Sequence, residues 1–186
     1  MVIIVIKYNF NKIDLLIKLF YLKMATLLLP IGPPGSGKTY LGQFLKDKYK
    51  DRFVYISRDD IFSELRKTNS IRKSKHLTHE FIKNKIQQHK NKNVIVYVDT
   101  TNSNQGIRDL YESYLNPINI KYLCFKEKNI DILLKNVESR VHPIFPSEKK
   151  EQIKTINTII DIIDYPDTNF IEIKNFNYNE LFSFLQ

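Results

Sequence analysis

The sequence predicts an α/β domain in which a parallel sheet is covered by helices on both faces. Two observations carry this. Apolar runs rich in Val, Ile, Leu and aromatics recur at residues 27–31, 53–56, 94–98, 120–125 and 170–173, the composition of buried strands. Between them lie polar stretches long enough for crossover helices, at about 38–50, 60–92, 105–115, 128–139 and 147–163, with a last helix near 178–185. Parallel neighbours need such long crossovers, so repeated strand, helix, strand order implies a parallel sheet.

The chain has 186 residues, of which 42% are apolar, enough for one domain with a real core. Residues 1–23 read differently from the rest. Ile13, Leu16, Ile17 and Phe20 fall at helical spacing, but Met24, Ala25 and Thr26 would make an ordinary start just before a strand. The expected organisation is an N-terminal extension over 1–23, outside the fold, and one domain over 24–186. Lys7, Lys12, Asp14, Lys18 and Lys23 interrupt the apolar N-terminus, so neither a membrane span nor a stable membrane association is expected.

The formal net charge is +9, which favours a polyanionic partner or substrate. Lys, Ile and Asn are all used heavily, as AT-rich coding would produce, so composition accounts for part of the basicity. The charge is nevertheless local. Residues 65–92 carry Arg66, Lys67, Arg72, Lys73, Lys75, Lys83, Lys85, Lys90 and Lys92 against Glu80 alone. The single cysteine, Cys124, excludes an internal disulfide and a cysteine zinc cluster, and fits a reducing cytoplasm. His76, His79, His89 and His142 lack partners at metal-ligand spacing.

The first strand runs into Gly32, Pro33, Pro34, Gly35, Ser36, Gly37, Lys38 and Thr39, followed by Tyr40. This is a complete G-x-x-x-x-G-K-[ST] phosphate loop between a strand and a helix. Its glycines let the backbone turn N–H groups inward, and the helix start adds its positive dipole end. These nine residues are the candidate nucleotide contacts. Lys38 would reach the β and γ phosphates and the Thr39 hydroxyl would ligate Mg²⁺.

After the second strand, Ser57 and Asp60 have capping-box spacing, which leaves Asp59 without a structural task. The carboxyl ends of parallel strands form the ligand crevice, and a carboxylate there can accept the proton of an attacking hydroxyl. The alternative for Asp59 is a solvated acid favoured by the helix dipole. The third strand ends in Asp99, a hydrophobic run plus acid of the kind that holds Mg²⁺ or its water shell. Thr100, Thr101 and Asn102 follow, as crevice residues or as a turn and helix-start cluster. Arg140 precedes Pro143 and Pro146; over 140–146 it is either a lid arginine that neutralises the transferring group or a surface arginine.

The motifs GPPGSGKT at 32–39, ISRDD at 56–60 and DTTN at 99–102, with an arginine before prolines at 140–146, resemble the phage-type polynucleotide 5′-hydroxyl kinases, within the wider P-loop kinases that include zeta-toxin-like enzymes. The resemblance covers most of residues 26–175. It implies the P-loop NTPase fold with a five-stranded parallel sheet in the order 2-3-1-4-5, and ATP and Mg²⁺ as cofactors. It also implies Lys38, Asp59 as general base and Arg140 as the catalytic set, Thr39 and Asp99 at the metal, and a nucleic-acid 5′ end as acceptor, met by the basic segment 66–92. Two positions depart from the family. Phe62 stands where the phage enzymes place an arginine that reads the acceptor's 3′ phosphate, and Asn136 stands where a second lid arginine is common, although Arg66 follows one turn beyond Phe62. No D-x-D-x-T phosphatase or K-x-D-G ligase motif is present, so a kinase acting alone is expected. Two alternatives remain. One is a small-molecule kinase for a sugar, nucleoside or antibiotic hydroxyl, which Phe62 suits; the other is a nucleotide-binding module or ATPase that signals to a partner.

Overall fold

A computed structural model describes residues 24–114, 119–139, 145–173 and 178–185. The extension at 1–23 and, from the expected lid, residues 140–144 with Arg140 lie outside the described residues. In chain order the elements are β1 (Thr26–Ile31), α1 (Lys38–Tyr49), a 3₁₀ turn (Lys50–Arg52), β2 (Phe53–Ser57), α2 (Arg58–Arg66) and α3 (Ile71–His89). Then follow β3 (Ile95–Asp99), α4 (Gln105–Ser113), β4 (Ile120–Cys124), α5 (Ile130–Glu138), α6 (Lys149–Ile162), β5 (Phe170–Glu172) and α7 (Tyr178–Leu185).

The five strands form one sheet in the order β2-β3-β1-β4-β5. All four pairings are parallel. This is the expected α/β fold of P-loop proteins, with the expected strand order. All six residues of the central strand β1 are buried, because each of its alternating faces meets a helical layer. Leu27, Leu29 and Ile31 join Ile82 and Ile86 of α3 and Tyr111 of α4 on one face. Leu28 faces the other way and joins Leu41 and Leu45 of α1 with Leu181 and Leu185 of α7. A third cluster, Leu133, Leu134, Val137 and Ile156, holds α5 to α6.

One expected element divides. The stretch 60–92 is two helices: the end of α2 tightens into bonds three residues back (Lys67 N to Glu64 O at 3.2 Å, Thr68 N to Leu65 O at 3.5 Å), and the Asn69 side chain takes up the Leu65 carbonyl at 3.0 Å. Ser70 then caps α3 by accepting from Lys73 N. Three consecutive residues that favour local backbone bonding, Thr68, Asn69 and Ser70, outcompete helix continuation here.

On the α1 side of the sheet, Phe53, Tyr97 and Tyr55 form an aromatic row, with Tyr55 and Tyr97 stacked at 5.9 Å and 15°. Gly42 lets α1 lie against it: a Cβ there would sit 2.7 Å from Tyr55 Cε2 and 2.8 Å from Tyr97 Cε1. Ala normally favours a helix by about 1 kcal/mol over Gly. Here, with ring atoms of a buried stack in the way, Gly42→Ala is expected to destabilise the fold by about 1–2 kcal/mol, read from urea denaturation.

Candidate functional site

The phosphate loop lies where β1 gives way to α1, and its conformation is fixed from several sides. Gly35 and Gly37 adopt φ of 79° and 98°, left-handed values that glycine takes without strain. Space makes the same demand, since a Cβ on Gly35 would lie 2.2 Å from the Leu133 carbonyl oxygen of α5. Asn136, also on α5, donates its Nδ2 to the Gly35 carbonyl at 2.9 Å. Gly32 N donates to Thr101 O at 3.4 Å, and the Tyr97 hydroxyl donates to the carbonyl of Lys38 at 2.7 Å. The loop is thus held by β3, the β3–α4 turn and α5 together. Inside it the buried ammonium of Lys38 donates to Gly32 O (2.8 Å) and Pro33 O (2.7 Å). Thr39 is half-buried in the first turn of α1, whereas Tyr40 is 63% exposed.

Asp59 and Asp99 reach the same edge of the sheet through β2 and β3. The parallel register sets Ser57 beside Asp99, so α2 starts level with the end of β3. Ser57 caps α2 by accepting from Asp60 N at 3.2 Å, as its spacing predicted. Asp59 follows in the first turn, paired with Arg58 at 3.1 Å, both side chains about 30% exposed. The Arg58 guanidinium also lies 5.9 Å from the centre of the Phe62 ring. Asp99 is buried and accepts from the Tyr55 hydroxyl. Burial first, then the Asp99 carboxylate, push the Tyr55 phenol far above its usual pKa, so it remains a donor at any physiological pH.

The donor chemistry fits a nucleotide with a hard divalent cation. Thr39 and Asp99 offer oxygen ligands, and a magnesium ion in such a site takes its remaining ligands from water and phosphate rather than from a protein cage. The glycines would provide the backbone cradle for the phosphates, with Lys38 beside it.

A family profile described as an AAA domain matches residues 27–142. The chain belongs to the AAA domain family. No curated protein matches the sequence significantly. Among solved structures, this AAA domain is similar to a gluconokinase from Sinorhizobium meliloti 1021 (TM-score 0.55, 13% identity, covering 80% of this chain and 81% of that one). It is similar to Kti12 from Chaetomium thermophilum in complex with ADP-AlF3 (TM-score 0.60, 14% identity, 86% and 99%). It also resembles a chain of the Pnkp1/Rnl/Hen1 RNA repair complex (TM-score 0.54, 17% identity, 83% of this chain and 50% of that one). At these identities the likeness is one of fold, that of P-loop kinases and their relatives.

Three residues important to the AAA domain's site were not read from sequence. Tyr55 is one; an aromatic in a strand signals core, and only strand register brings its hydroxyl to Asp99. Arg108 is the second. It is 1% exposed, pairs with Asp164 at 2.6 Å and donates to the carbonyls of Asn102 (3.2 Å) and Asp164 (3.0 Å). It thereby ties the β3–α4 turn to the segment after α6. Asp164 is the third, and no local spacing links it to Arg108. Asn102 itself is buried at φ 46° and donates to Pro30 O at 2.7 Å and Val98 O at 3.3 Å. It pins β1 to β3, which decides for the turn-forming reading over the crevice one. Cys124 is a core residue whose thiol burial pushes up to about 12, and among the described residues no His, Cys, Asp and Glu cluster of three or more could hold a metal. Nor does any helix among them have the length and apolarity to cross a membrane.

Tyr55→Phe removes the phenolic donor from a buried carboxylate. A hydrogen bond to a charged group contributes about 2 kcal/mol, so the melting temperature of the variant is expected to fall by roughly 4–8 °C. A thermal melt checks this.

Proposed function

We propose that this AAA domain is a Mg²⁺-dependent kinase that transfers the γ phosphoryl of ATP to a hydroxyl, the 5′ hydroxyl of a polynucleotide. The observation that carries it is the placement of Asp59. A switch protein or motor ATPase needs no carboxylate in the first turn after β2, yet here one stands partly exposed two residues beyond Ser57, which is itself level with Asp99. In this reading ATP supplies the phosphoryl group, and the bound ion neutralises charge on it. The chain does the rest. The phosphate loop and Lys38 orient the triphosphate, Asp99 and Thr39 hold the ion, and Asp59 takes the proton from the acceptor hydroxyl as it attacks in line. Arg140 is assigned the lid role on the family resemblance.

The polynucleotide acceptor is supported by the basic segment 66–92 and by the motif resemblance, and the RNA repair complex with a similar fold agrees with it. Phe62 favours a second reading. Its ring underlies Arg58 where an arginine would otherwise reach a 3′ phosphate, and a small-molecule acceptor, as for the gluconokinase of similar fold, needs no such contact. A buried cysteine and the absence of disulfides suit a cytoplasmic enzyme.

Incubating the protein with labelled ATP and a panel of 5′-hydroxyl DNA and RNA oligonucleotides, nucleosides and sugars tests the reading. Label on the oligonucleotides, with an acceptor KM that rises steeply with salt, is the expected result. Label on a sugar or nucleoside with a flat salt response selects the small-molecule kinase. ATP hydrolysis with no acceptor labelled selects the binding module.

A further inference from the structure

The basic run from Arg66 to Lys92 does not form one surface. Arg66 is engaged within its own turn, donating to the Asn69 carbonyl at 2.7 Å. From Ile71 onward the charges are distributed by helix α3, at about 100° per residue. Its buried seam, Ser74, Thr78, Ile82 and Ile86, is fixed against the fold, and this settles where the remaining side chains project. Arg72, His76, His79 and Lys83 follow one another at spacings of four, three and four residues, so they share a stripe about 60° wide. Lys73 and Lys85 project roughly 90° and 150° away from that stripe.

One ring contact and the charges around the stripe show which way it looks. His79 senses Arg58 and His76, which together with the larger effect of burial lower its basicity. Lys83 Nζ lies 5.9 Å from the centre of the Tyr114 ring at the end of α4. Tyr114 meets Tyr111 edge-on at 6.2 Å, and the Tyr111 hydroxyl in turn senses both Arg58 and Asp59. The stripe therefore runs along the side of α3 that meets Tyr114 at the end of α4, with Arg58 near enough to act on His79. Glu80, the one acidic residue of α3, lies near both His79 and Tyr114, opposing the fall in the basicity of the first and, after burial, raising the phenol of the second.

We infer that Arg72, His76, His79 and Lys83 form a track for the phosphodiester backbone of a single-stranded acceptor, leading its 5′ end to Asp59. The inference rests on the polynucleotide reading above and narrows it from a whole segment to one helical face. From Arg72 to Lys83 the helix rises about 16 Å, a length that suits several nucleotides and that a sugar or nucleoside does not use. RNA and DNA present the same phosphodiester chemistry to such a track, so both enter the test.

Fluorescence anisotropy with labelled 5′-hydroxyl oligomers of about eight nucleotides, one DNA and one RNA, separates the stripe from the bulk charge. Arg72→Glu/Lys83→Glu and Lys73→Glu/Lys85→Glu make the same change in net charge. The first is expected to weaken binding at least tenfold and to reduce the log–log salt slope by about 1.4, two single-strand phosphate contacts. The second is expected to change affinity by less than about twofold. Arg72→Gln/Lys83→Gln, which introduces no repulsion, should weaken binding in the same direction, and thermal melts of all three establish that they fold. Equal losses from the two Glu pairs would overturn the track, and so would a wild-type protein that binds neither oligomer. The phosphorylation assay separates the two claims. Transfer to oligonucleotides with equal losses leaves the kinase reading standing without the track, whereas stripe-specific binding without transfer leaves the track and removes the acceptor reading.

Discussion

Asp59→Asn is expected to abolish phosphoryl transfer while ATP affinity stays within about an order of magnitude of wild type. Asn keeps the size of the side chain and its place at the start of α2, but cannot accept the acceptor's proton. The loss should therefore fall on kcat, by at least about 10²-fold, the lower range for a positioned general base. Arg58 sharpens the test. Paired with Asp59 at 3.1 Å, it loses its carboxylate partner in the variant, but at about 30% exposure the pair is well solvated and its loss costs the fold little. The neighbouring carboxylate is the internal control: Asp60 donates its backbone N–H to the Ser57 cap, a bond that Asp60→Asn leaves intact. Single-turnover transfer and equilibrium ATP binding, measured on both variants, decide the assignment. Damage from Asp60→Asn with an active Asp59→Asn would reverse the roles within the pair.

Lys38→Ala is expected to lose both nucleotide affinity and turnover, because in the proposed kinase it removes a charge that would meet the triphosphate in ground and transition state alike. The structure adds a reason beyond charge. The buried ammonium bridges the carbonyls of Gly32 and Pro33 at 2.8 and 2.7 Å, so it also holds the shape of the loop. Removing one preorganised donor to developing charge costs about 10²–10³ in kcat. With the loop carbonyls released as well, ATP affinity should drop by at least about tenfold. Titration calorimetry with ATP and a coupled turnover assay report the two losses separately. Unchanged affinity would mean that Lys38 serves the transition state alone.

Much of the fold was legible from local pattern. Five apolar runs and the crossovers between them specify a parallel sheet, because strand periodicity and connection length are properties of the chain itself. The phosphate loop was legible for the same reason: its glycines, lysine and threonine act within eight consecutive residues, and the structure shows Gly35 and Gly37 in the backbone conformations the motif requires. The Ser57 cap and the position of Asp59 in the first turn of α2 followed from spacing of three residues or fewer. The break at 67–70 was missed although its signal is local, because basic and helix-favouring residues on both sides obscure three short polar ones.

Tertiary structure decided the rest, and in each case the partners are far apart in sequence. Strand register brings Tyr55 to Asp99 across 44 positions. Packing of α5 beneath the phosphate loop gives Asn136 the Gly35 carbonyl across 101 positions, so a residue that reads as a lost arginine becomes a support for the loop. Arg108 meets Asp164 only because the chain after α6 returns to the β3–α4 turn, where Asp164 N donates to Ser103 O at 2.9 Å. The basic run needed the fold most. In sequence its cations are equivalent, and only the buried seam of α3 separates those on the side of Tyr114 from those facing elsewhere. Composition sets how much charge a chain carries; the direction in which a helix is pressed onto its core sets where that charge acts.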